Sequence, residues 1–195
     1  MNKQNKQYPL NLKSPYLERA LKVINSLYEI PRTGWVDRGV RNPETVGQHT
    51  DELIALADEY FIIHGLKAML KIHDWAESNK KIGDARTDKH CDPSRRWDKV
   101  KKYQAELKTM QRICLELGPR GAWILKLWLE FEEGKTYRAR IAKQLDKFQM
   151  LIKALEYQKM GEPVIAQEFI ENDGPKVKHG MLREILEQAK KDLLG

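Results

Sequence analysis

The chain has 195 residues, which is enough for one domain with a sizeable core and too few for two ordinary domains. Its balance of 41% hydrophobic and 32% charged residues is typical of a soluble globular protein, and no apolar run approaches the roughly 20 residues that cross a bilayer. The polar N-terminus lacks the apolar stretch of a signal peptide. Cys91 and Cys114 have neither metal nor redox spacing, so we expect a reduced, cytoplasmic setting and no membrane partner.

The formal net charge of +7 fits a nucleic-acid partner, an anionic small-molecule substrate, or a solvated basic surface with no further role. The densest basic cluster, residues 95–102, also contains Trp97 and Asp98 and is typical of one helix face rather than of a disordered basic tail. The sequence contains no recognisable module for binding DNA or RNA, so we do not expect a nucleic-acid partner.

Helical periodicity runs through most of the chain. Ser14 and Pro15 suit the N-cap and first position of a first helix, and residues 45–48 match the capping box that starts a second one. The predicted helices cover residues 15–30, 45–64, 66–78, 93–117, 122–132 and 137–160, a short segment near residue 165, and residues 181–194. Residues 32–43 and 79–91 are predicted loops, and only residues 163–170 have weak strand character. The fold class is therefore all-α, and we expect one helical-bundle domain over residues 1–195 in which residues 1–13 form a flexible N-terminal segment.

Two histidines and two aspartates interrupt these apolar helical segments, namely His49, His73, Asp74 and Asp146. Taken singly, each has an ordinary explanation as a hydrogen-bonded histidine or a salt-bridged aspartate. Each would nevertheless be costly to bury without a partner, and two imidazoles with two carboxylates form a suitable site for a divalent ion. Their order, a His, then His-Asp some two dozen residues later, then a distant Asp in a late helix, predicts one metal that joins three helices.

Four segments carry this set: residues 31–35 (PRTGW), 41–49 (RNPETVGQH), 73–77 (HDWAE, followed by Gly83-Asp84) and 143–147 (KQLDK). In this combination the chain resembles the YfbR-like 5'-deoxynucleotidases of the HD superfamily, from about residue 27 to the C-terminal helix. The resemblance implies a single HD domain that hydrolyses deoxynucleoside 5'-monophosphates to deoxynucleoside and phosphate. It also implies one divalent metal ion (Co²⁺, Mn²⁺, Zn²⁺, Fe²⁺ or Ni²⁺) and a homodimer.

The resemblance assigns roles by position. His49, His73, Asp74 and Asp146 fall on the metal ligands of the family, and Glu77 falls on its catalytic glutamate. Asp84 falls on an aspartate that activates the attacking water, with Asp88 as the alternative.

Arg32 and Trp35 lie in the loop that, in the family, offers an arginine to the phosphate and an aromatic ring to the nucleotide. Arg38 and Arg41 are alternative phosphate ligands, but Arg32 is favoured because Trp35 stands beside it. A guanidinium suits this role because its planar fork can make two parallel hydrogen bonds to a phosphate.

Two kinds of alternative remain open. The first is another HD hydrolase activity: a dNTP triphosphohydrolase, a cyclic-nucleotide phosphodiesterase or an alarmone hydrolase, which the basic residues between 80 and 96 would suit. The second is a non-catalytic basic helical domain that binds nucleic acid and keeps a relict metal site.

Overall fold

A computed structural model describes residues 14–88 and 91–194, so the predicted flexible segment 1–13 lies outside the described residues. Within these ranges the chain is helical and forms no β-strand, which confirms the all-α prediction. The α-helices are α1 Pro15–Leu27, α2 Thr33–Val36, α3 Val46–Tyr60, α4 Leu66–Ile72, α5 Lys99–Glu116, α6 Gly121–Glu133, α7 Tyr137–Lys159, α8 Ala166–Asp173 and α9 Gly180–Leu194. In the described ranges, three short 3₁₀ helices cover Trp75–Ser78, Gly118–Arg120 and Gly174–Lys176. No helix among the described residues is long and apolar enough to cross a membrane.

Helix α7 is the central element, because it packs against α3, α4, α6, α8 and α9. Its apolar side chains recur at helical spacing, and Leu145, Phe148 and Leu155 are among those fully buried in the core. Asp146 and Gln149 interrupt this series in the middle of the helix. Polar groups on α7 are thereby brought close to the helices that pack around it.

The predicted capping box starts α3 as expected. Thr45 Oγ1 accepts a hydrogen bond from the Gln48 backbone N–H (3.2 Å), and Gln48 Oε1 accepts one from the Thr45 backbone N–H (2.9 Å). The strand-like pairing of Arg32 N–H with Glu44 O (2.9 Å) then holds the residues before α2 against the start of α3. These bonds fix both the first turn of α3 and the position of Arg32.

Several predicted boundaries are wrong for identifiable reasons. Helix α5 begins at Lys99 instead of residue 93, because the side chain of Asp98 accepts from the Lys101 backbone N–H (3.0 Å) and caps the helix there. Helix α4 ends at Ile72, so His73 and Asp74 lie in a turn that leads into a 3₁₀ helix.

Two further boundaries differ. The expected loop 32–43 contains the short helix α2, whereas the short helix expected near residue 165 is present as α8, which packs against α7. Helix α3 ends at Tyr60, since Phe61 is already extended.

Candidate metal centre

The two histidines are held with one ring nitrogen facing a common point. His49, on the first turn of α3, has its Nδ1 2.7 Å from Gln149 Oε1, and His73 has its Nδ1 2.7 Å from the carbonyl oxygen of Leu70. Both partners are acceptors, so each Nδ1 carries a proton, and Nε2 is the ring nitrogen through which each histidine could bind a metal. Among the described residues neither Nε2 atom makes a hydrogen bond of normal geometry, although both are fully buried.

Carboxylate oxygens lie beside these nitrogens. His49 Nε2 is 3.2 Å from Asp146 Oδ1, and His73 Nε2 is 3.0 Å from Asp74 Oδ2, which is also 3.9 Å from His49 Nε2. One ligand atom each from His49, His73 and Asp146 lies within 4.8 Å of the others. Two neutral imidazole nitrogens and two carboxylates, contributed by three parts of the helical bundle, fit a divalent cation.

The electrostatic environments of Asp74 and Asp146 suit a role as metal ligands. Burial alone would raise the pKa of Asp74, but the charges of His73, Arg32 and His49 outweigh burial and lower it. Burial opposes ionisation of Asp146 as well, yet Lys147 and His49 bring its pKa well below the usual range. Both side chains are therefore ionised and ready to bind a cation.

The proton on His73 competes with a metal. Burial would lower the pKa of His73, but the adjacent Asp74 outweighs burial and raises it. A metal ligand must be a neutral imidazole, so metal binding here displaces a proton.

A hydrogen-bond network behind His49 fixes its ring. Gln149 Nε2 donates to Glu44 Oε2 (2.9 Å) and to Glu52 Oε2 (2.8 Å), so its amide oxygen must face His49. Glu44 Oε1 in turn accepts from the indole N–H of Trp35 (2.8 Å). The sequence reasoning missed Gln149 and Glu44. The available signal was a glutamine on the buried side of α7, three residues after Asp146.

Of the three candidate phosphate arginines, only Arg32 reaches the metal site. Its Nη1 is 3.4 Å from Asp74 Oδ2. Arg38 donates to the carbonyl oxygen of Gly34 (3.0 Å) and lies over the Phe169 ring. Arg41 is exposed and pairs with Glu162 (3.1 Å).

Trp35 is in the wall of the neighbouring cavity, but its side chain is mostly inaccessible. It is 2% exposed, and its ring packs against Tyr157 and Phe169 with centroid distances of 5.2 and 5.0 Å. Little of the ring is free for stacking on a nucleotide in this structure, and its clearest contact is the hydrogen bond to Glu44.

Glu77 lies in the 3₁₀ helix after Asp74 and is 5% exposed, with its Oε2 unpartnered among the described residues. Burial raises its pKa well above the usual range, and the charges of Asp74 and Asp84 raise it further. Asp84 follows Gly83, whose φ of +53° favours glycine, and one of its oxygens accepts from the Thr33 backbone N–H. The alternative, Asp88, is exposed and pairs with Arg86 (2.7 Å).

Two cavities beside these residues adjoin at Thr87 and Lys99, which line both. The smaller, of about 250 Å³, is lined in part by His73, Asp74 and Glu77. The larger, of about 610 Å³, is lined by Asp84 and three other carboxylic side chains and, among the described residues, by six cations: Arg32, Arg38, Arg86, Lys99, Lys147 and Lys176. An excess of positive charge beside a metal position favours an anionic ligand.

Comparisons with known proteins identify the family of the chain. A family model described as HD domain matches residues 24–185. The chain is 31% identical to the 5'-deoxynucleotidase HDDC2 of Dictyostelium discoideum, over 92% of this chain and 98% of that protein. It is also 31% identical to the 5'-deoxynucleotidase HDDC2 of Danio rerio, over 86% and 85%.

Solved structures share the fold. A conserved hypothetical protein from Pyrococcus furiosus superposes with a TM-score of 0.64 at 25% identity, over 88% of this chain and 98% of that one. A predicted metal-dependent phosphohydrolase from Magnetospirillum magnetotacticum superposes with a TM-score of 0.66 at 22% identity, over 95% and 96%. With the family match over most of its length and the paired histidines and aspartates at the centre of the bundle, the chain belongs to the HD-domain family.

Proposed function

We propose that this protein is a metal-dependent 5'-deoxynucleotidase that hydrolyses deoxynucleoside 5'-monophosphates to deoxynucleoside and phosphate. The observation that carries the proposal is that the buried Nε2 atoms of His49 and His73 lie close to each other and to Asp146, beside a cavity with excess positive charge. The names of the relatives from Dictyostelium discoideum and Danio rerio support the nucleotide substrate.

His49, His73, Asp74 and Asp146 would hold the divalent cation. When bound there, such a cation activates water for attack and neutralises charge on phosphate oxygens. Arg32, close to Asp74 and lining the larger cavity, would grip the phosphate by two parallel hydrogen bonds.

Glu77 and Asp84 would divide the proton transfers between them. Asp84 lines the larger cavity and would orient the attacking water and accept its proton. Glu77 holds a proton more readily than an ordinary glutamate, because its pKa is raised by burial and by Asp74 and Asp84. A carboxylic acid of this kind suits protonation of the leaving 5'-oxygen.

Trp35 would act on the substrate mainly by shaping the cavity wall, with the small accessible part of its ring against the nucleoside. Its hydrogen bond to Glu44 links this wall to Gln149 and hence to His49. Substrate binding and the metal site would thus share one rigid support.

The test is a screen of phosphate release from deoxynucleoside and ribonucleoside 5'-monophosphates by metal-loaded protein. We expect release from the deoxy substrates, loss of activity in His73→Ala/Asp74→Ala, and normal activity in His64→Ala, which changes an exposed histidine. Release of triphosphate from dATP would instead identify a triphosphohydrolase. Nucleic-acid binding without hydrolysis of any nucleotide by the metal-loaded protein would contradict the proposal.

The metal, assembly and compartment are part of the same proposal. We propose Co²⁺, Mn²⁺, Zn²⁺, Fe²⁺ or Ni²⁺ as the ion, since mixed nitrogen and oxygen ligands accept all of them, and metal analysis of the purified protein identifies which. We further propose a cytoplasmic homodimer. The support is the buried free thiols of Cys91 and Cys114 and the exposed apolar side chains of Leu115 and Trp123, and light scattering measures the assembly.

A further inference from the structure

Lys147 occupies an unusual position next to the metal site. Its Nζ lies 3.2 Å from Asp146 Oδ2, while the other oxygen of the same carboxylate, Oδ1, lies 3.2 Å from His49 Nε2. Asp146 therefore separates the ammonium group from the histidine pair. The Lys147 side chain is 34% exposed and forms part of the wall of the larger cavity.

Other lysines of α7 are engaged elsewhere. Lys143 lies over the Phe131 ring, and Lys153 is held by Glu52 (2.8 Å) and Glu156 (2.7 Å). The ion pair that the structure gives Lys147 is with a metal-site carboxylate, and its ammonium group has three N–H donors. The ammonium group can keep its ion pair with Asp146 and still donate a hydrogen bond to a group that enters from the cavity.

Arg32 stands in the matching position on the other carboxylate. Its Nη1 lies 3.4 Å from Asp74 Oδ2, and it lines the same cavity. Each of the two aspartates therefore has one cation beside it, and both cations face the space where a phosphate would approach. A tetrahedral phosphate has several oxygens, so it can accept from a metal, a guanidinium and an ammonium at the same time.

We propose that Lys147 is a second phosphate-binding residue, which together with Arg32 holds the phosphoryl group of the substrate from two sides. This inference rests on the proposed function, because it deepens the assignment of the same site. The competing explanation is that Lys147 only positions Asp146 for the metal. The two differ in what is lost on substitution: phosphate affinity in the first case, metal affinity in the second.

The experiment compares wild-type protein, Lys147→Gln and Lys147→Arg, each loaded with Co²⁺, and titrates inorganic phosphate by calorimetry. We expect Lys147→Gln to weaken phosphate binding by about tenfold or more, since a charge-assisted hydrogen bond is lost, and Lys147→Arg to recover most of it. Co²⁺ affinity, measured by chelator competition, should change by less than about threefold. The KM for a deoxynucleoside monophosphate should rise by a factor similar to that for phosphate.

Lys176→Gln is the matched control. It removes the same charge from the wall of the same cavity, but Lys176 pairs with Asp173, which is not a predicted metal ligand, and is 58% exposed. We expect it to weaken phosphate binding by less than about threefold, because it removes one charge from the cavity but no direct donor to the phosphate. An equal loss in this control would mean that only the general charge of the cavity matters, and it would overturn the proposal.

Three other results would also overturn it: phosphate affinity unchanged in Lys147→Gln, Co²⁺ affinity falling by the same factor as phosphate affinity, or no phosphate binding by wild-type protein. Failure of the proposed function is distinguishable, because phosphate titration does not require turnover. Wild-type protein that hydrolyses no nucleotide but loses phosphate affinity on Lys147→Gln would contradict the proposed reaction and keep the inference.

Discussion

The orientation of His49 depends on a single amide. Gln149 donates both of its amide hydrogens, to Glu44 and Glu52, and so presents only its oxygen to His49 Nδ1. An amide turned the other way would place donors against the ring and favour the wrong tautomer. Groups behind a metal ligand commonly set its ring orientation and basicity in this way.

We therefore expect Gln149→Met, which keeps the length of the side chain but removes its polar atoms, to weaken metal binding by about 10- to 100-fold. The measurement is the visible absorption of bound Co²⁺ during chelator competition. Gln104→Met, on the exposed side of α5, is the control and should bind Co²⁺ like the wild type. Equal affinities for Gln149→Met and wild-type protein would show that the ring needs no such support.

The burial of Glu77 has a cost in folding stability when its carboxyl group is ionised. Its raised pKa means that the folded protein takes up a proton at Glu77 more readily than the unfolded chain does. The folding stability linked to this proton is fully present below the unfolded pKa of about 4.3 and is lost as pH rises through the folded pKa.

Glu77→Gln should consequently stabilise the metal-free protein, by about 1–2 kcal/mol near pH 8, and should abolish most phosphate release. The gain should shrink as the pH approaches about 4, where the carboxyl group is protonated in both states. Urea unfolding at several pH values measures it, with the exposed Glu59→Gln as the control. A gain that grew on acidification would contradict the assigned direction of the pKa shift.

At the scale of whole elements, the helices that carry no ligand still position the site. The indole N–H of Trp128, on α6, donates to the carbonyl oxygen of His73 (3.1 Å). His73 lies directly after the last residue of α4. Helix α6 is itself packed against α5 at a close turn, where Gly121 meets the backbone of Cys114. The α5–α6 turn therefore contributes indirectly to where His73 lies.

Gly121→Ala should separate these two helices. A Cβ atom at this position would overlap the carbonyl oxygen of Cys114, and a backbone atom cannot move aside as a flexible side chain can. We expect a loss of about 3 kcal/mol in the free energy of unfolding, which corresponds to roughly 6–12 °C in Tm for a domain of this size. Calorimetry measures the shift.

Gly180→Ala is the control for that change, because a Cβ atom there meets nothing within 4 Å. Its Tm should remain equal to that of the wild type or rise slightly, since alanine favours a helix more than glycine does. Similar losses in the two variants would mean that the tight α5–α6 contact is not what glycine supplies.

Element boundaries were predictable where the signal is local. The capping box of residues 45–48 is contained in four residues, and the start of α3 follows from it. The start of α5 is equally local, but Asp92-Pro93 and Asp98 compete as caps, and the Ser94 N–H bond to Asp92 Oδ1 (2.8 Å) ends the first in a turn. Sequence alone does not decide between two good caps six residues apart.

For the molecule as a whole, the cluster of candidate ligands was easier to predict than its surroundings. His49, His73, Asp74 and Asp146 are conspicuous because they are polar residues in apolar helical segments, and the structure brings all four together. The partner of His49 lies 100 residues away at Gln149, so no local pattern connects them.

The burial of Trp35 was also not predictable from the local sequence. As part of PRTGW it resembles an accessible loop residue, and only the packing of Tyr157 and Phe169 around it reveals that it is buried. Whether a side chain faces a cavity or the core depends on elements more than 100 residues away along the chain. Its role toward the nucleotide stays a prediction.

Because its four candidate ligands come from α3, the turn after α4, and α7, the metal site links separate parts of the bundle. A ligand that binds only the folded chain stabilises it by RT ln(1 + [L]/Kd), about 2.7 kcal/mol when the free metal is at about 100 times its Kd. We expect a Tm higher by roughly 5–11 °C with saturating Co²⁺ than with a chelator, measured by calorimetry. His49→Ala should lose this metal dependence, because its α3 ligand is gone, whereas the exposed His64→Ala should keep it. If the Tm of the wild-type protein were the same with Co²⁺ and with the chelator, the four side chains would not act together as a binding site.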